Sequence, residues 1–413
     1  MIDLILFTGR HAVTSGATHS ICNNVLKASG GSKTALIGME IDATQLKEQP
    51  ALTFDLSGRY ERRALPYRVM HRLRLTLRPT AARRVDLENA LKAKRDMLAD
   101  RLCVHALSKF IGANRERPTW FLGLNAMSLE SGLHAKKLGI TYVLHSQWSH
   151  PNVQEAELQK EYDRLGIAAA PLPKCRLDRQ RKELECADVV WCASSMVRDS
   201  LIENGVDASK VITVPYGIEL SRYSCAPEGR GFDGKFIILM VGSLILRKGV
   251  HVLLEAVLRS RVADAEVVLN GSPDAITAHI IDTYRTRLAD RRITVTARAS
   301  DPRENLRRAT VFVLASVEEA FGIAVLEAMA AGLPVILSSA VGSQECIEEG
   351  GNGVVFASRD ADALAEHLSS FYADRGLCLR LGRRSLEVVR QYDVDSRSGE
   401  LMRSLTASRN TGR

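Results

Sequence analysis

Aromatic side chains are scarce in this chain: Phe, Trp and Tyr together make up 5% of 413 residues. Proteins that hold single-stranded nucleic acid stack bases on aromatic platforms, and no such set is present. Long apolar runs are missing too. A membrane span needs roughly 20 consecutive apolar residues, whereas the runs here are short pieces such as Phe236–Val241. The first ten residues, MIDLILFTGR, have no positive leader and carry Asp3; they read as a first strand, not a signal peptide. The eight cysteines (Cys22, Cys103, Cys175, Cys186, Cys192, Cys225, Cys346 and Cys378) include no C-x-x-C pair, so zinc-knuckle spacing is excluded. A chain of this length buries a core without disulfide staples, and reduced thiols in a cytoplasmic protein are expected.

What is present is ordinary folded composition, 46% apolar and 25% charged, over a length that predicts two or three domains. Strand-like runs at Leu4–Phe7, Thr34–Ile37, Trp120–Leu122, Ile140–Leu144, Val189–Cys192 and Val211–Val214 alternate with helical stretches such as Leu129–Leu138 and Ser195–Asn204. A second round starts at Phe236–Val241 and continues through Val267–Leu269, Ile293–Val295, Val311–Leu314 and Val335–Leu337. This alternation predicts an α/β class with parallel sheets covered on both faces. Tyr216–Gly234, rich in glycine and without an apolar period, reads as a linker. The expected division is an N-terminal domain over 1–218 and a C-terminal domain over 219–392, with a helix over 393–413 packing back on the first.

Charge is uneven. The whole chain is +8, yet Arg59–Arg117 alone carries sixteen Lys/Arg against six Asp/Glu. A basic stretch with interleaved apolar residues suits an anionic membrane surface, where each cation contributes about 1 kcal/mol, or simply a solvated helical face. Nucleic acid is not an expected partner, because no recognition motif accompanies the charge.

The most informative segment is Ala315–Val335, ASVEEAFGIAVLEAMAAGLPV. A strand ends at Leu314, a loop follows, and Ile323–Ala330 is a helix stopped by Gly332 and Pro334. Phe321, Gly322 and Ile323 therefore sit at a helix N-terminus, where free N–H groups and the helix dipole favour phosphate. Seven residues separate Glu319 from Glu327, one carboxylate before the helix and one about a turn inside it. Two carboxylates there suit recognition of vicinal hydroxyls. They make a poor general-acid pair, because amide N–H groups keep a nearby carboxylate ionised. No D-x-D motif stands at a strand end, so no metal is expected and no cofactor is implied.

This segment resembles the E-x7-E motif of the family-4 retaining glycosyltransferases, the glycosyl transferases group 1, whose fold is GT-B: two doubly wound Rossmann-like domains facing each other across a cleft. VGSLILRKG (Val241–Gly249), ADVVWCAS (Ala187–Ser194), VITVPYGI (Val211–Ile218), VGSQECIEEGGNGVVF (Val341–Phe356) and HSQWSHPNVQEAELQKEYDRLGI (His145–Ile167) resemble further segments of that family. The resemblance covers roughly Tyr142–Tyr392.

It implies an enzyme that moves a hexose-type sugar from a UDP- or GDP-sugar to a glycan or lipid-linked acceptor with retention, in bacterial surface polysaccharide synthesis. The acceptor goes to the first domain and the donor to the second. Glu327 is implied to hold the ribose, Glu319 the donor sugar, and Lys248 the diphosphate, with Gly242, Ser243, Arg247 and the amides of Phe321–Ile323 around them. Ser243 departs from the family, which carries Arg there, and Arg247 is the substitute cation. Ala297 also stands where a loop glycine is common. In the N-terminal domain Gly9, Arg10 and Gly16 form an expected strand-to-helix loop, and either His145 or His150 lies by the reacting sugar. His150 fits the motif better. A cytoplasmic protein, peripheral at the inner face of the plasma membrane, follows from the lipid-linked acceptors of the family.

Overall fold

The computed structural model describes residues 4–12, 25–27, 34–39, 50, 52–55, 81–113, 118–168, 172–223, 234–288, 292–296 and 302–411. The chain forms two compact units: 1–162 with 167–217 and 394–413, and 163–166 with 218–393.

The first unit holds a seven-stranded sheet in the order β3-β2-β1-β4-β5-β6-β7. Its strands are β1 (Leu4–Ala12), β2 (Thr34–Met39), β3 (Leu52–Asp55), β4 (Trp120–Leu124), β5 (Thr141–Ser146), β6 (Val189–Cys192) and β7 (Val211–Thr213). All pair in parallel. Parallel strands need helical crossovers that cover both faces, which is why β4 and β6 are buried at every position.

β1 runs further than its apolar residues suggest. Its register against β2 is irregular between Phe7 and Ala12, after which Ala12 pairs with Met39. Gly9 and Arg10 therefore lie in a strand and not in the expected loop, because the irregularity absorbs extra residues without ending the pairing. Gly16 lies outside the described residues.

The helices of this unit include α1 (Ala81–Ala113), α2 (Leu129–Lys137), α3 (Pro151–Arg164), α4 (Lys174–Cys186) and α5 (Ser195–Glu203). α1 lies within the basic stretch. It buries Ala99, Leu102, Cys103, Ala106, Leu107 and Phe110 at helical spacing, while Lys92, Lys94, Arg101 and Lys109 are exposed. No helix among the described residues is long and apolar enough to cross a membrane.

The start of α2 is closed by two buried carboxyl groups from other helices. Asp100 of α1 accepts from the amides of Glu130 (2.7 Å) and Ser131 (2.9 Å). Glu183 of α4 accepts from those of Ala126 (2.5 Å) and Ser128 (2.8 Å). Arg179 pairs with both acids.

The second unit repeats the plan with a six-stranded parallel sheet, β10-β9-β8-β11-β12-β13. The strands are β8 (Ile237–Val241), β9 (Glu266–Asn270), β10 (Arg292–Thr296), β11 (Val311–Leu314), β12 (Val335–Ser338) and β13 (Gly353–Phe356). The helices are α6 (Val250–Arg259), α7 (Ala275–Arg287), α8 (Pro302–Arg308), α9 (Ile323–Ala330), α10 (Ala361–Ala373) and α11 (Arg375–Val388). A final helix, α12 (Val394–Thr411), belongs to the first unit. It buries Val394, Ser398, Leu401 and Leu405 and pairs Asp395 with Lys27.

Strand order reverses between β8 and β11. In open α/β sheets ligands bind beyond the carboxyl ends of strands at such a switch. The loops leaving β8 and β11 meet at that point.

Candidate functional site in the second unit

The loop after β8 runs from Gly242 to Gly249 and contains a short helical turn over Leu246–Lys248. The loop after β11 runs from Ala315 to Gly322 and opens α9. The two are laced together. The Val317 amide donates to the Arg247 carbonyl at 2.9 Å. At Gly249, φ is 69° and an added Cβ would sit 1.8 Å from the Ala315 oxygen, so only glycine allows the approach. On its other side the β11 loop is tied to 340–343. The amides of Glu319 and Gly342 donate to the carbonyls of Ala340 (2.9 Å) and Glu319 (2.8 Å), and Ser343 donates to Phe321 (2.9 Å). Phe321 is buried and Ile323 opens the helix. Gly322 takes φ 87° and no side chain caps α9, so the first-turn N–H groups have no side-chain acceptor.

Four charged side chains gather there. Lys248 Nζ donates to Glu319 Oε2. Arg247 Nη1 donates to the Glu318 carbonyl (2.8 Å) and to Glu318 Oε2 (3.1 Å), and lies 3.6 Å from Glu319 Oε2. All four are largely buried. Two cations against two carboxylates balance charge, as buried ions require. Burial pushes the Glu319 carboxyl up, but Lys248 and then Arg247 outweigh it and hold it below the usual range. Burial likewise pulls the Lys248 ammonium down, opposed by Glu319. Glu319 is therefore ionised at neutral pH. Glu327, on the second turn of α9, is half-buried, and its Oε1 accepts from Tyr223 Oη at 2.8 Å. Gly242 and Ser243 stand at the mouth of the β8 loop; Ser243 uses its carbonyl to accept from Ile245 at 3.0 Å.

The structure thus brings together Gly242, Ser243, Arg247, Lys248, Glu319, Phe321, Gly322, Ile323 and Glu327 in one unit. The histidines belong to the other. His145 is fully buried in β5, 2.9 Å from Tyr216 Oη through Nε2 and 4.1 Å ring to ring from Trp191. Burial takes it down to about 3, so it is neutral. His150 precedes α3 and caps it: the Asn152 amide donates to its Nδ1 at 3.2 Å, and the Gln154 amide to its carbonyl at 3.0 Å. Burial, then Arg181, takes it down to about 4. Because Nδ1 accepts, its proton sits on Nε2. Ala297 lies outside the described residues.

Sequence reading missed Glu318 and Tyr223. Glu318 had a signal, as half of an acidic doublet opposite an Arg-Lys doublet. Tyr223 had none, sitting in a stretch read as linker.

Two parallel sheets wound as β3-β2-β1-β4 and β10-β9-β8-β11, with an uncapped helix start at the second switch, define the GT-B glycosyltransferase fold. Residues 227–388 match the model of the family described as glycosyl transferases group 1. The chain is 24% identical over 266 residues to a D-inositol 3-phosphate glycosyltransferase of Geodermatophilus obscurus, covering 59% of each. It is 30% identical over 154 residues to the lipopolysaccharide core biosynthesis glycosyltransferase LpsE of Rhizobium meliloti, covering 37% of this chain and 44% of the relative. The match therefore spans less than two thirds of either relative. A crystal structure of Anabaena HepE in complex with UDP-glucose is similar in fold, with a TM-score of 0.67 and 14% identity, over 98% of this chain and 99% of that one.

Proposed function

We propose that the protein is a retaining glycosyltransferase that transfers a hexose-type sugar from a nucleotide diphosphate sugar to a glycan or lipid-linked acceptor in bacterial surface polysaccharide synthesis. The observation that carries this reading is the buried Lys248–Glu319 pair set against the uncapped start of α9, with Glu327 one turn inside. UDP is the favoured nucleotide, since the HepE structure holds UDP-glucose. The lipopolysaccharide role of LpsE supports a surface-glycan acceptor.

In this reading the second unit takes the donor and the first the acceptor. Glu327 accepts hydrogen bonds from the ribose diol, and Glu319 from the sugar hydroxyls. Donor binding draws the Lys248 ammonium from Glu319 toward the diphosphate. Lys248 and the amides of Gly322 and Ile323 then stabilise the negative charge that grows as the bond to the sugar breaks. Arg247, held by Glu318, contributes as a fixed nearby cation in place of the family arginine at Ser243. The departing phosphate takes the acceptor proton, so no side-chain nucleophile is needed. From the first unit, His150 offers an Nε2–H donor to the sugar.

No metal takes part in this reading, and turnover persists in EDTA. The basic stretch Arg59–Arg117 meets anionic lipid at the inner face of the plasma membrane, testable by cosedimentation with vesicles containing phosphatidylglycerol.

A panel of radiolabelled UDP- and GDP-sugars tests the activity. Release of nucleoside diphosphate with labelled glycan is expected. Interconversion of the UDP-sugar would make the protein an epimerase, and binding without turnover a decayed transferase, which Ser243 favours. Glu327→Ala is expected to abolish most nucleotide binding in calorimetry; unchanged binding removes the site.

A further inference from the structure

The three tryptophans of the first unit are not alike. Trp120 is 7% exposed and Trp191 1%, whereas Trp148 is only half-buried. It stands in the loop 147–150, between β5 and α3. That loop leaves the carboxyl edge of the sheet, one strand beyond the switch between β1 and β4. An indole is mostly apolar surface, so keeping part of it against water forgoes burial.

The loop is pinned around this residue. Ser146 Oγ donates to the Trp148 carbonyl at 2.9 Å. The Gln154 side-chain amide donates to the Ser149 carbonyl at 2.6 Å, and the His150 amide to Ser200 Oγ at 3.0 Å. Ser146, Ser149 and His150 are buried, so the ring is fixed at its base. Arg176, in the first turn of α4, lies with Cζ 4.5 Å from the centre of the Trp148 ring; the face of an indole attracts a cation at that distance. Gln180 of the same helix donates to Asn125, in the loop after β4, at 2.6 Å. α4 therefore orients the indole and ties down the neighbouring loop as well.

Open α/β sheets bind ligands beyond the carboxyl ends of their strands, and a pre-fixed ring there spares a ligand the cost of ordering it. A pyranose suits such a ring. Its C–H face is apolar and weakly positive, the complement of the negative face of an indole. A lipid surface suits it less, because interfacial aromatics belong to amphipathic elements with further apolar side chains, and Trp148 is flanked by Gln147, Ser149 and His150.

We infer that Trp148 is a stacking platform for a hexose ring of the acceptor glycan. This names an acceptor contact of the transferase proposed above and rests on that reading. Gln147, half-buried beside it, supplies an amide for hydroxyls at the rim of the sugar.

Tryptophan emission of the full chain, titrated with the methyl glycosides of glucose, galactose and mannose, tests the inference without any donor. A saturable change with at least one glycoside is expected in wild type and is lost in Trp148→Phe, because Trp120 and Trp191 are buried. In calorimetry Trp148→Ala weakens that glycoside by about 3- to 10-fold, the span of one aromatic stacking contact. Trp148→Phe, which keeps a smaller ring, loses less. In turnover with that glycoside as acceptor, Trp148→Ala raises the acceptor KM and leaves the donor KM unchanged; a purely structural tryptophan would move both.

No response to any glycoside, or equal affinity in wild type and Trp148→Ala, overturns the inference. So does an emission shift with phosphatidylglycerol vesicles in place of the sugars, which would make the ring a membrane contact. The donor site is judged separately, by calorimetry with UDP and GDP. If wild type binds neither, the donor reading falls, while a glycoside response that depends on Trp148 keeps the platform.

Discussion

Two helix starts in this protein face the same electrostatic problem and solve it differently. α2 and α9 each follow a strand at the centre of a sheet, and each presents about half a positive charge and several N–H groups at its first turn. At α2 the protein supplies its own acceptors: the carboxyl groups of Asp100 and Glu183 take four amides between them, with Arg179 beside both. At α9 no side chain caps the helix, and the nearby acid Glu319 is engaged by Lys248 instead. The first arrangement is complete without a ligand. The second keeps a cation and free donors available to an anion. The same backbone geometry is closed by carboxyl groups in one unit and left without a side-chain cap in the other, where the proposed donor site lies, and the difference lies in where neighbouring helices place carboxyl groups.

The strongest way to break the contrast is Arg179→Met. It leaves Asp100 and Glu183 buried without a counter-ion, and removing one member of such a set costs about 3–5 kcal/mol. All three tryptophans, Trp120, Trp148 and Trp191, lie in the first unit. Urea unfolding followed by tryptophan fluorescence therefore reads this loss directly, and a shift worth less than 1 kcal/mol would show that the α2 cluster is not a stabilising cap. Lys248→Ala is the matching change at α9. It should leave that unfolding transition in place and weaken nucleoside diphosphate binding by about 10- to 100-fold, one charge-assisted contact. Binding of the uncharged nucleoside should hardly move. Equal losses for nucleoside and diphosphate would mean that Lys248 does not meet phosphate.

Much of this was readable before the structure. Helix and strand alternate with local apolar periods, and the α9 loop announces itself by Gly322, by the stop at Gly332 and Pro334, and by two glutamates at fixed spacing. Each of those signals is local. The pairings that complete the picture are not: Tyr223 meets Glu327 over 104 residues, and Arg179 meets Asp100 over 79. A lone Tyr or Arg carries no local pattern that names a distant partner. The extension of β1 through Gly9 and Arg10 escaped notice because pairing with β2, not side-chain polarity, sustains it.

pH separates the two helix starts by sign. Burial pushes Glu183 up to about 8, against the lowering effect of Arg179 and the two amides. Its folded value lies above the ordinary glutamate value of 4.5, so the folded chain holds a proton that the unfolded chain has released. Stability from this group is full below about pH 4.5 and is lost as pH rises through 8. Glu319 runs the other way: its folded value is depressed, so its contribution is present above 4.5 and is lost as pH falls. The fluorescence-detected transition should weaken between pH 6 and 8 by at most about 1.4 kcal/mol per pH unit. Glu183→Gln should flatten that slope. A slope identical in wild type and variant would assign the titration elsewhere.

The mildest test calibrates the other two. α7 begins with an ordinary cap: Asp274 Oδ1 accepts from the Thr277 amide at 2.8 Å. Asp274→Ala removes one half-buried cap hydrogen bond and should cost about 1 kcal/mol, read by circular dichroism because no tryptophan reports on the second unit. It should leave nucleotide binding intact, since α7 follows β9 and not the switch between β8 and β11. The ordering Arg179→Met above Asp274→Ala is the informative quantity. A single surface cap acts on one helix end against water, whereas the α2 cluster holds ions that water cannot reach, and only the latter carries the desolvation penalty of an unpaired charge. If the two variants lost equal stability, the carboxylates at α2 would be solvated in practice, and α2 would differ from α9 only in which acid stands nearest.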